Sequence, residues 1–368
     1  MIWISVFFSA LLIIQFGVLW ILVKKNWKNH SKAKAGEFPM VSVLVAARNE
    51  EENLPGLLKS LSELDYPLEK LEILFADDQS EDQTPDLIQI WAEGYPNRKL
   101  ISILPDQTKL FHPNGKANAL AILAKQAKGE LFFFTDADCQ VPRAWIKEAV
   151  SCFEKGLGIL IGITQVRSKG LFSRMQELDW WNTLGMVKVV TDLGYATTGL
   201  GNNMIISREA YEKSGGFEGL PFSLTEDLEI SRSVRKAGYR LVHQVNPQLL
   251  VITKAEANWK DLLRQRKRWM NGVMSLSPGW KILLGIQFLF FPAVGYILVK
   301  HLFLGLGVWL LKIIFQGVFL SQIASRAGQK LKLISLSVFD FYQILAISLT
   351  ILYYFWPVQT QWKARNYP

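Results

Sequence analysis

Cysteine and histidine are scarce in this chain, with two of the first and four of the second among 368 residues. Cys139 and Cys152 alone do not make a disulfide framework, and no His/Cys spacing resembles a zinc site. Gly115-Lys116 lacks a glycine five residues earlier, so there is no Walker A loop. Met204 stands where Gly199-Leu200-Gly201 would need its third glycine, so there is no dinucleotide fingerprint. No DNA- or RNA-binding motif occurs, and nucleic acid is not an expected partner. Charge is also sparse: 20% charged against 50% apolar residues excludes a disordered or collagen-like chain.

The charge that is present is unevenly placed. Lys+Arg outnumber Asp+Glu by 41 to 32, for a net charge of +9, and most acidic residues fall in the middle of the chain. Residues 2–23 carry no charge and, as a helix, would rise about 30 Å, enough to cross a bilayer core. Lys24, Lys25, Lys28, Lys32 and Lys34 follow. A secretory signal has the opposite order, so the run reads as a retained anchor whose lysines hold the next domain on the cytoplasmic side.

Three more apolar runs occupy residues 282–299, 302–324 and 333–356, and the basic connector 326–332 should also face the cytoplasm. The Lys300-His301 link would be an outer turn, leaving Lys363 and Arg365 outside, against the rule. Pro292 and several glycines leave room for kinked or interfacial segments. Lys312 is expected to snorkel or to lie at a packed interface. Asp340 is expected to pair with a neighbouring helix or to sit near the interface, with a substrate path as the functional alternative for both. The 13 tryptophans and the basic balance suit a protein among anionic membrane lipids.

Between the ends, β-rich runs alternate with helical periodicity. Strands are expected at 40–47, 71–76, 100–104 and 131–134. Helices are expected after Glu50, where Leu54, Leu57, Leu58 and Leu61 share a face, and over 82–93 and 117–128. This is the pattern of a parallel sheet wrapped by helices. Polar clusters follow the strands: Asn49 and Glu50, then Asp77 and Asp78, then Asp136 and Asp138. Ligands of such sheets bind beyond the carboxyl ends of the strands, so one cleft would collect all three clusters.

Asp136-Ala137-Asp138 sets two carboxylates two residues apart, on one side of an extended chain. Such a pair suits Mg²⁺ or Mn²⁺ shared with phosphate oxygens, although Asp-x-Asp is more often a turn or a cap. Asp77 and Asp78 exceed what a helix cap requires, a task left to Ser80 or Asp82. Lys116 opens a helix and would either be solvated or counter a diphosphate. Ser223 with Glu226 spells a capping box, which accounts for Glu226 and leaves Asp227 as a candidate general base at a helix start. Gln265-Arg266-Lys267-Arg268-Trp269 lies in a basic stretch that also reads as an interfacial helix burying Trp259, Leu262, Leu263, Trp269 and Met270.

Taken in order, Asp77-Asp78, Lys116, Asp136-Ala137-Asp138, Thr225-Glu226-Asp227 and Gln265-x-x-Arg268-Trp269 resemble the membrane-bound family 2 glycosyltransferases. That group includes cellulose, hyaluronan and poly-N-acetylglucosamine synthases and ceramide glucosyltransferase. The resemblance covers roughly residues 37–275 and implies an α/β GT-A fold flanked by transmembrane helices. It also implies inverting transfer from a nucleotide-sugar, here a UDP-sugar. Asp78, beside Asp77, would contact the uracil. Asp138, supported by Asp136, would ligate Mg²⁺ or Mn²⁺ on the diphosphate, and Lys116 would lie on the donor side. Asp227 would deprotonate the acceptor hydroxyl. Glu226, Gln265, Arg268 and Trp269 would serve the diphosphate and acceptor.

The chain departs from cellulose synthases in having Thr197-Thr198-Gly199-Leu200-Gly201-Asn202-Asn203 where they carry Phe-Phe-Cys-Gly-Ser. With few spans for a polymer channel, a lipid acceptor is the leading expectation. A processive surface-polysaccharide synthase comes second and a noncatalytic nucleotide-binding membrane scaffold third. The expected plan is an anchor at 1–23, a basic linker at 24–36, a cytoplasmic GT-A domain at 37–258, an amphipathic segment at 259–279, three membrane or interfacial helices over 280–356 and a tail at 357–368. The sequence names neither the sugar nor any partner subunit.

Overall fold

The computed structural model describes residues 1–32, 38–195, 197–358, 360–362 and 365–367, with side chains to residue 358. Lys34 and the end of the basic linker lie outside the described residues, as do Lys363 and the side chain of Arg365 in the tail. The chain forms two compact units. One is built from Lys28–Gln165 and Val190–Lys254, the other from Met1–Trp27, Val166–Val189 and Ala255–Pro368. Within the span expected as catalytic, 37–258, residues 166–189 group with the apolar helices.

The first unit is an α/β sheet structure. Its strands are β1 (Val41–Ala47), β2 (Leu71–Asp77), β3 (Arg98–Ser102), β4 (Leu131–Phe134), β5 (Leu157–Ile161), β6 (Ile163–Val166), β7 (Met204–Ser207), β8 (Arg240–His243) and β9 (Leu250–Thr253). Seven of them make one sheet in the order β3-β2-β1-β4-β7-β5-β8, while β6 and β9 pair separately. The β1 to β4 pairings are parallel, as the alternation predicts, but β7 runs antiparallel to both β4 and β5. The expected parallel run thus covers β1 to β4, and β7, which no expectation named, returns from a long excursion rather than from a βαβ crossover.

Both faces of the sheet are covered. Val43, Val45, Ile73, Phe75, Leu131 and Phe133 pack into one core, and Leu44, Leu74, Phe132 and Phe134 into the other. This two-sided burial explains why the strands read as continuous apolar runs. The intervening helices are α2 (Leu54–Ser62), α3 (Thr84–Ala92), α4 (Gly115–Gln126) and α5 (Trp145–Cys152). After the excursion come α7 (Arg208–Lys213) and α8 (Glu226–Lys236). Cys139 and Cys152 are both free and buried.

The second unit contains α1 (Ile2–Lys25), α6 (Leu171–Asp192, all but its last turn), α9 (Trp259–Met274), α10 (Pro278–Lys300), α11 (Leu302–Arg326) and α12 (Leu333–Phe355). A short hairpin, β10 (Thr360–Trp362) with β11 (Arg365–Tyr367), ends it. Among the described residues α1, α10, α11 and α12 are long and apolar enough to cross a membrane, and this is an integral membrane protein. Pro292 lies inside an unbroken α10.

Lys312 does not snorkel. It is 0% exposed and ion-paired with Asp340, itself 1% exposed. Lys312 Nζ also donates to Gln316 Oε1 at 2.7 Å and Gln343 Oε1 at 3.0 Å. Trp309 Nε1 donates to Asp340 at 2.8 Å, and Gln316 Nε2 reaches Asn182 of α6 at 3.2 Å. Apolar surroundings leave these groups no water, so they satisfy one another.

The far end of α12 is tied to α9. Trp259 of α9 stacks on Tyr342, and the buried Lys267 donates to the carbonyls of Trp356 at 2.9 Å and Val358 at 2.7 Å. Helix carboxyl ends carry unpaired carbonyls, and a buried ammonium needs acceptors. The end of α12 therefore lies beside α9.

Candidate active site

Register brings the polar clusters of the sheet unit to one edge. Ala47 pairs with Asp77 and Leu44 with Phe134, so the chain leaves β1, β2 and β4 on the same side. The first two exits are knitted together. Asn49 and Gln79 are non-glycine residues at φ 50° and 60°, in the left-handed region. Asn49 Oδ1 accepts from the Glu81 amide at 2.9 Å, and Ser80 Oγ accepts from the Asn49 amide at 3.0 Å. Arg48 donates to the Asp78 carbonyl, and Asp77 accepts from the Ser80 amide. Ser80 is thus spent on the β1 loop rather than on capping α3. Asp82 accepts from the Thr84 amide at 3.0 Å, inside the first turn of α3. Asp77 and Asp78 are both buried at this junction.

Lys116 is the hub of the third exit. Asn114 caps α4 by accepting from the Lys116 amide at 2.9 Å, which starts the helix and aims the lysine. Lys116 Nζ lies 2.6 Å from Asp136 Oδ1 and 3.1 Å from Glu226 Oε1. The solvated alternative for Lys116 fails, and so does the capping box. The Ser223 hydroxyl accepts from the Thr225 amide, and the Glu226 carboxylate turns to Lys116 instead. The charge of Lys116 outcompetes a surface cap because Glu226 is buried.

Asp227 sits beside this pair. Its Oδ2 accepts from the Gly201 amide at 3.2 Å and its Oδ1 from the Leu228 amide at 2.8 Å. Burial of the carboxyl group, reinforced by Glu226, pushes its pKa up to about 6, against the opposing pull of Lys116. Asp138 Oδ1 has the Thr253 hydroxyl at 3.4 Å, and its Oδ2 lies 4.0 Å from Lys254. No group of three or more His, Cys, Asp and Glu side chains poised for a metal occurs among the described residues.

Several contributors were not identified as such from the sequence. A Cβ at Gly199 would come within 2.7 Å of the Asp227 carbonyl, and one at Gly201 within 3.3 Å of Lys116 Nζ. Both glycines therefore permit close approach. Asn202 and Asn203 hold the loop down: the carbonyl of Asn202 accepts from the Thr135 hydroxyl, and the amide of Asn203 bonds to Ile163, Leu249 and Trp145. Asn114 ties α4 to the start of α8 by donating to the Ser223 carbonyl at 2.7 Å.

Gln265, Arg268 and Trp269 lie on α9, in the helical unit. Gln265 Nε2 donates to Glu256 at 2.7 Å. Arg266 pairs with Asp179 of α6; burial opposes its charge, but the Asp179 carboxylate and the Tyr342 hydroxyl together outweigh burial and raise its pKa. Of the residues expected on a buried interfacial face, only Leu262 is fully buried.

The model of glycosyl transferase family 21 matches residues 5–368. A beta-monoglucosyldiacylglycerol synthase from Trichormus variabilis is 28% identical over 258 residues, 67% of this chain and 51% of the relative. A poly-beta-1,6-N-acetyl-D-glucosamine synthase from Staphylococcus epidermidis is 24% identical over 271 residues, 72% of this chain and 63% of the relative. The chain spans about half the length of the first of these relatives. A mannosyltransferase from Pyrobaculum calidifontis, solved with GDP-Man and Mn2+, superposes with a TM-score of 0.61 at 19% identity, covering 93% of this chain and 99% of that one, which establishes the GT-A fold. With a family model running almost end to end over the sheet unit and the apolar helices, the chain belongs to glycosyl transferase family 21.

Proposed function

We propose that this protein transfers a sugar from a nucleotide-sugar to the hydroxyl of a membrane-associated lipid or glycan, with inversion at the anomeric carbon. The observation that carries the proposal is the Lys116, Asp136, Glu226 and Asp227 cluster at the carboxyl edge of the sheet. Asp77 and Asp78 are assigned to the nucleoside of a UDP-sugar, and Lys116 to the diphosphate. By the motif resemblance, Gln265, Arg268 and Trp269 serve the diphosphate and acceptor.

A divalent cation fits this site. Lys116 brings one positive charge and already faces two carboxylates, so an anionic diphosphate needs further positive charge beside Asp136 and Asp138. The available donors are carboxylate oxygens, and Mg²⁺ or Mn²⁺ takes one or two of these together with phosphate oxygens, which requires no three-residue cage. When bound, the ion would neutralise charge on the departing diphosphate.

The chain's own residues supply the remainder. Two backbone amides fix the Asp227 carboxylate while leaving lone pairs open. The acceptor oxygen bonds to the anomeric carbon as the carbon–oxygen bond to the diphosphate breaks, and the hydroxyl proton passes to Asp227. A pKa near 6 keeps Asp227 ionised yet basic at neutral pH. Asp227→Asn should lower transfer by about 10²- to 10⁴-fold; full activity in that variant would refute the assignment.

The relatives include both a diacylglycerol glucosyltransferase and a polysaccharide synthase, and the polysaccharide reading fits the fold as well as the lipid reading does. Sizing the radiolabelled product separates them. A single added sugar excludes processivity, and long products exclude single transfer. The basic segment around Lys24 and Lys25 supports a cytoplasm-facing site.

A further inference from the structure

Both carboxylates of Asp136-Ala137-Asp138 have an ammonium group beside them, each brought from another part of the sheet unit. Lys116 Nζ, from the start of α4, lies 2.6 Å from Asp136 Oδ1, and Lys254 Nζ, just past β9, lies 4.0 Å from Asp138 Oδ2. The two pairs differ in kind. Lys254 and Asp138 make a loose contact between partly exposed side chains, and such pairs hold weakly. Lys116 is enclosed and bridges Asp136 to Glu226, whose Oε1 is 3.1 Å away. Its two partners are unequal, for the Glu226 side chain is 7% exposed and that of Asp136 34%. An ammonium carries three donors in a rotatable head, so Lys116 can exchange its bond on the open side while keeping the enclosed one. Giving up Glu226 instead would strand a buried carboxylate, the more costly loss. Gly201 leaves the ammonium room, since a Cβ there would come within 3.3 Å of Nζ.

We infer that Lys116 is an exchangeable counter-ion on Asp136: without a nucleoside diphosphate it holds that carboxylate against a divalent cation, and an arriving diphosphate draws it away, so that nucleotide and cation enter as a pair. The inference rests on the proposed transferase function and deepens it by assigning the order in which the site fills. A cation arriving alone meets a carboxylate whose charge is already matched. With the diphosphate present, Lys116 keeps Glu226 and trades Asp136 for a phosphate oxygen. Asp136 is thereby released when the diphosphate brings its own negative charge to the site.

The test reads Mn²⁺ binding rather than turnover, by electron paramagnetic resonance and titration calorimetry on the full-length protein in phosphatidylcholine nanodiscs, with and without UDP. Binding at this site is the portion that Asp138→Ala removes. Wild type should bind Mn²⁺ weakly alone and more tightly with UDP. Lys116→Met should tighten the UDP-free binding about 5- to 150-fold, the usual size of a coupling between sites. Lys254→Met removes the same charge from the loose pair and should leave that binding within about threefold of wild type. If Lys116→Met does not fold because Glu226 is stranded, Lys116→Met combined with Glu226→Gln removes both charges and should show the same tightening.

UDP-free binding no tighter than wild type in the Lys116 variants, equal tightening in Lys254→Met, or wild-type binding that UDP does not strengthen each overturns the inference while the cation and the transferase reading stand. A wild-type protein that binds no Mn²⁺ at this site, with or without UDP, removes the cation from the proposed function, and the inference with it.

Discussion

Replacing Lys312 by methionine tests whether the intramembrane ion pair is a keystone of the helical unit. The two partners are not symmetric. Without Lys312, the Asp340 carboxylate keeps only the Trp309 N–H at 2.8 Å among the described residues, and a buried anion with one neutral donor is poorly compensated. Without Asp340, the Lys312 ammonium still has two amide oxygens, at 2.7 and 3.0 Å. Breaking a buried pair from one side costs about 3–5 kcal/mol. Lys312→Met should therefore fall toward the top of that range and Asp340→Leu toward the bottom. Replacing both removes the charges together and should come within about 1 kcal/mol of wild type, or exceed it. Reversible unfolding in mixed detergent micelles gives the three free energies and closes the double-mutant cycle. A coupling of at least about 2 kcal/mol is expected. A Lys312→Met protein within about 0.5 kcal/mol of wild type, or strictly additive substitutions, would refute the reasoning.

Because Asp227 must give up its proton to act as a base, kcat/KM should fall as pH drops through about 6, and the Asp227→Asn variant should lack that limb. The same raised pKa means that the folded state holds a proton the unfolded state has released. The stability Asp227 contributes is therefore complete below its ordinary value near 3.8 and is lost as pH rises through about 6. Melting curves of Asp227→Asn and wild type should diverge in favour of the variant between pH 4 and pH 7; parallel curves would count against a raised pKa. Chelation of divalent cations should abolish nucleotide release, and Mn²⁺ or Mg²⁺ should restore it, with Asp138→Ala needing more metal; activity that survives chelation removes the ion from the scheme. Cysteines introduced as Val358→Cys and Arg264→Cys should label with an impermeant maleimide from the same face of the membrane, and labelling from opposite faces would contradict the Lys267 contact.

The strands that carry the site were legible because each is an apolar run ending in a polar cluster: β1 before Asn49, β2 before Asp78, β4 before Asp136. What was not legible is how those clusters pair. Lys116, Asp136 and Glu226 are separate signals along the chain, and local capping chemistry offered Glu226 a plausible task that the fold does not use. The α6 helix was missed as an element of the helical unit for a related reason. Its Asp179 and Asn182 make it look like a surface helix, and only Arg266 and Gln316, distant in sequence, turn that polarity inward. Strands β5 to β9 are four or five residues long, too short for periodicity to separate them from buried helix.

The helical unit draws on three separated stretches of chain, and this sets a timetable for its biogenesis. The ribosome delivers α1 to the bilayer long before α11, which supplies Phe315 and Phe319 to meet Trp20 and Phe16. Meanwhile α6 emerges with Asp179 and Asn182 still awaiting their partners. Closure of the bundle is therefore a late, long-range event. A nascent chain stalled before residue 259 would display a solitary hydrophobic helix and an unsatisfied polar one, the kind of exposed surface on which cellular quality control acts.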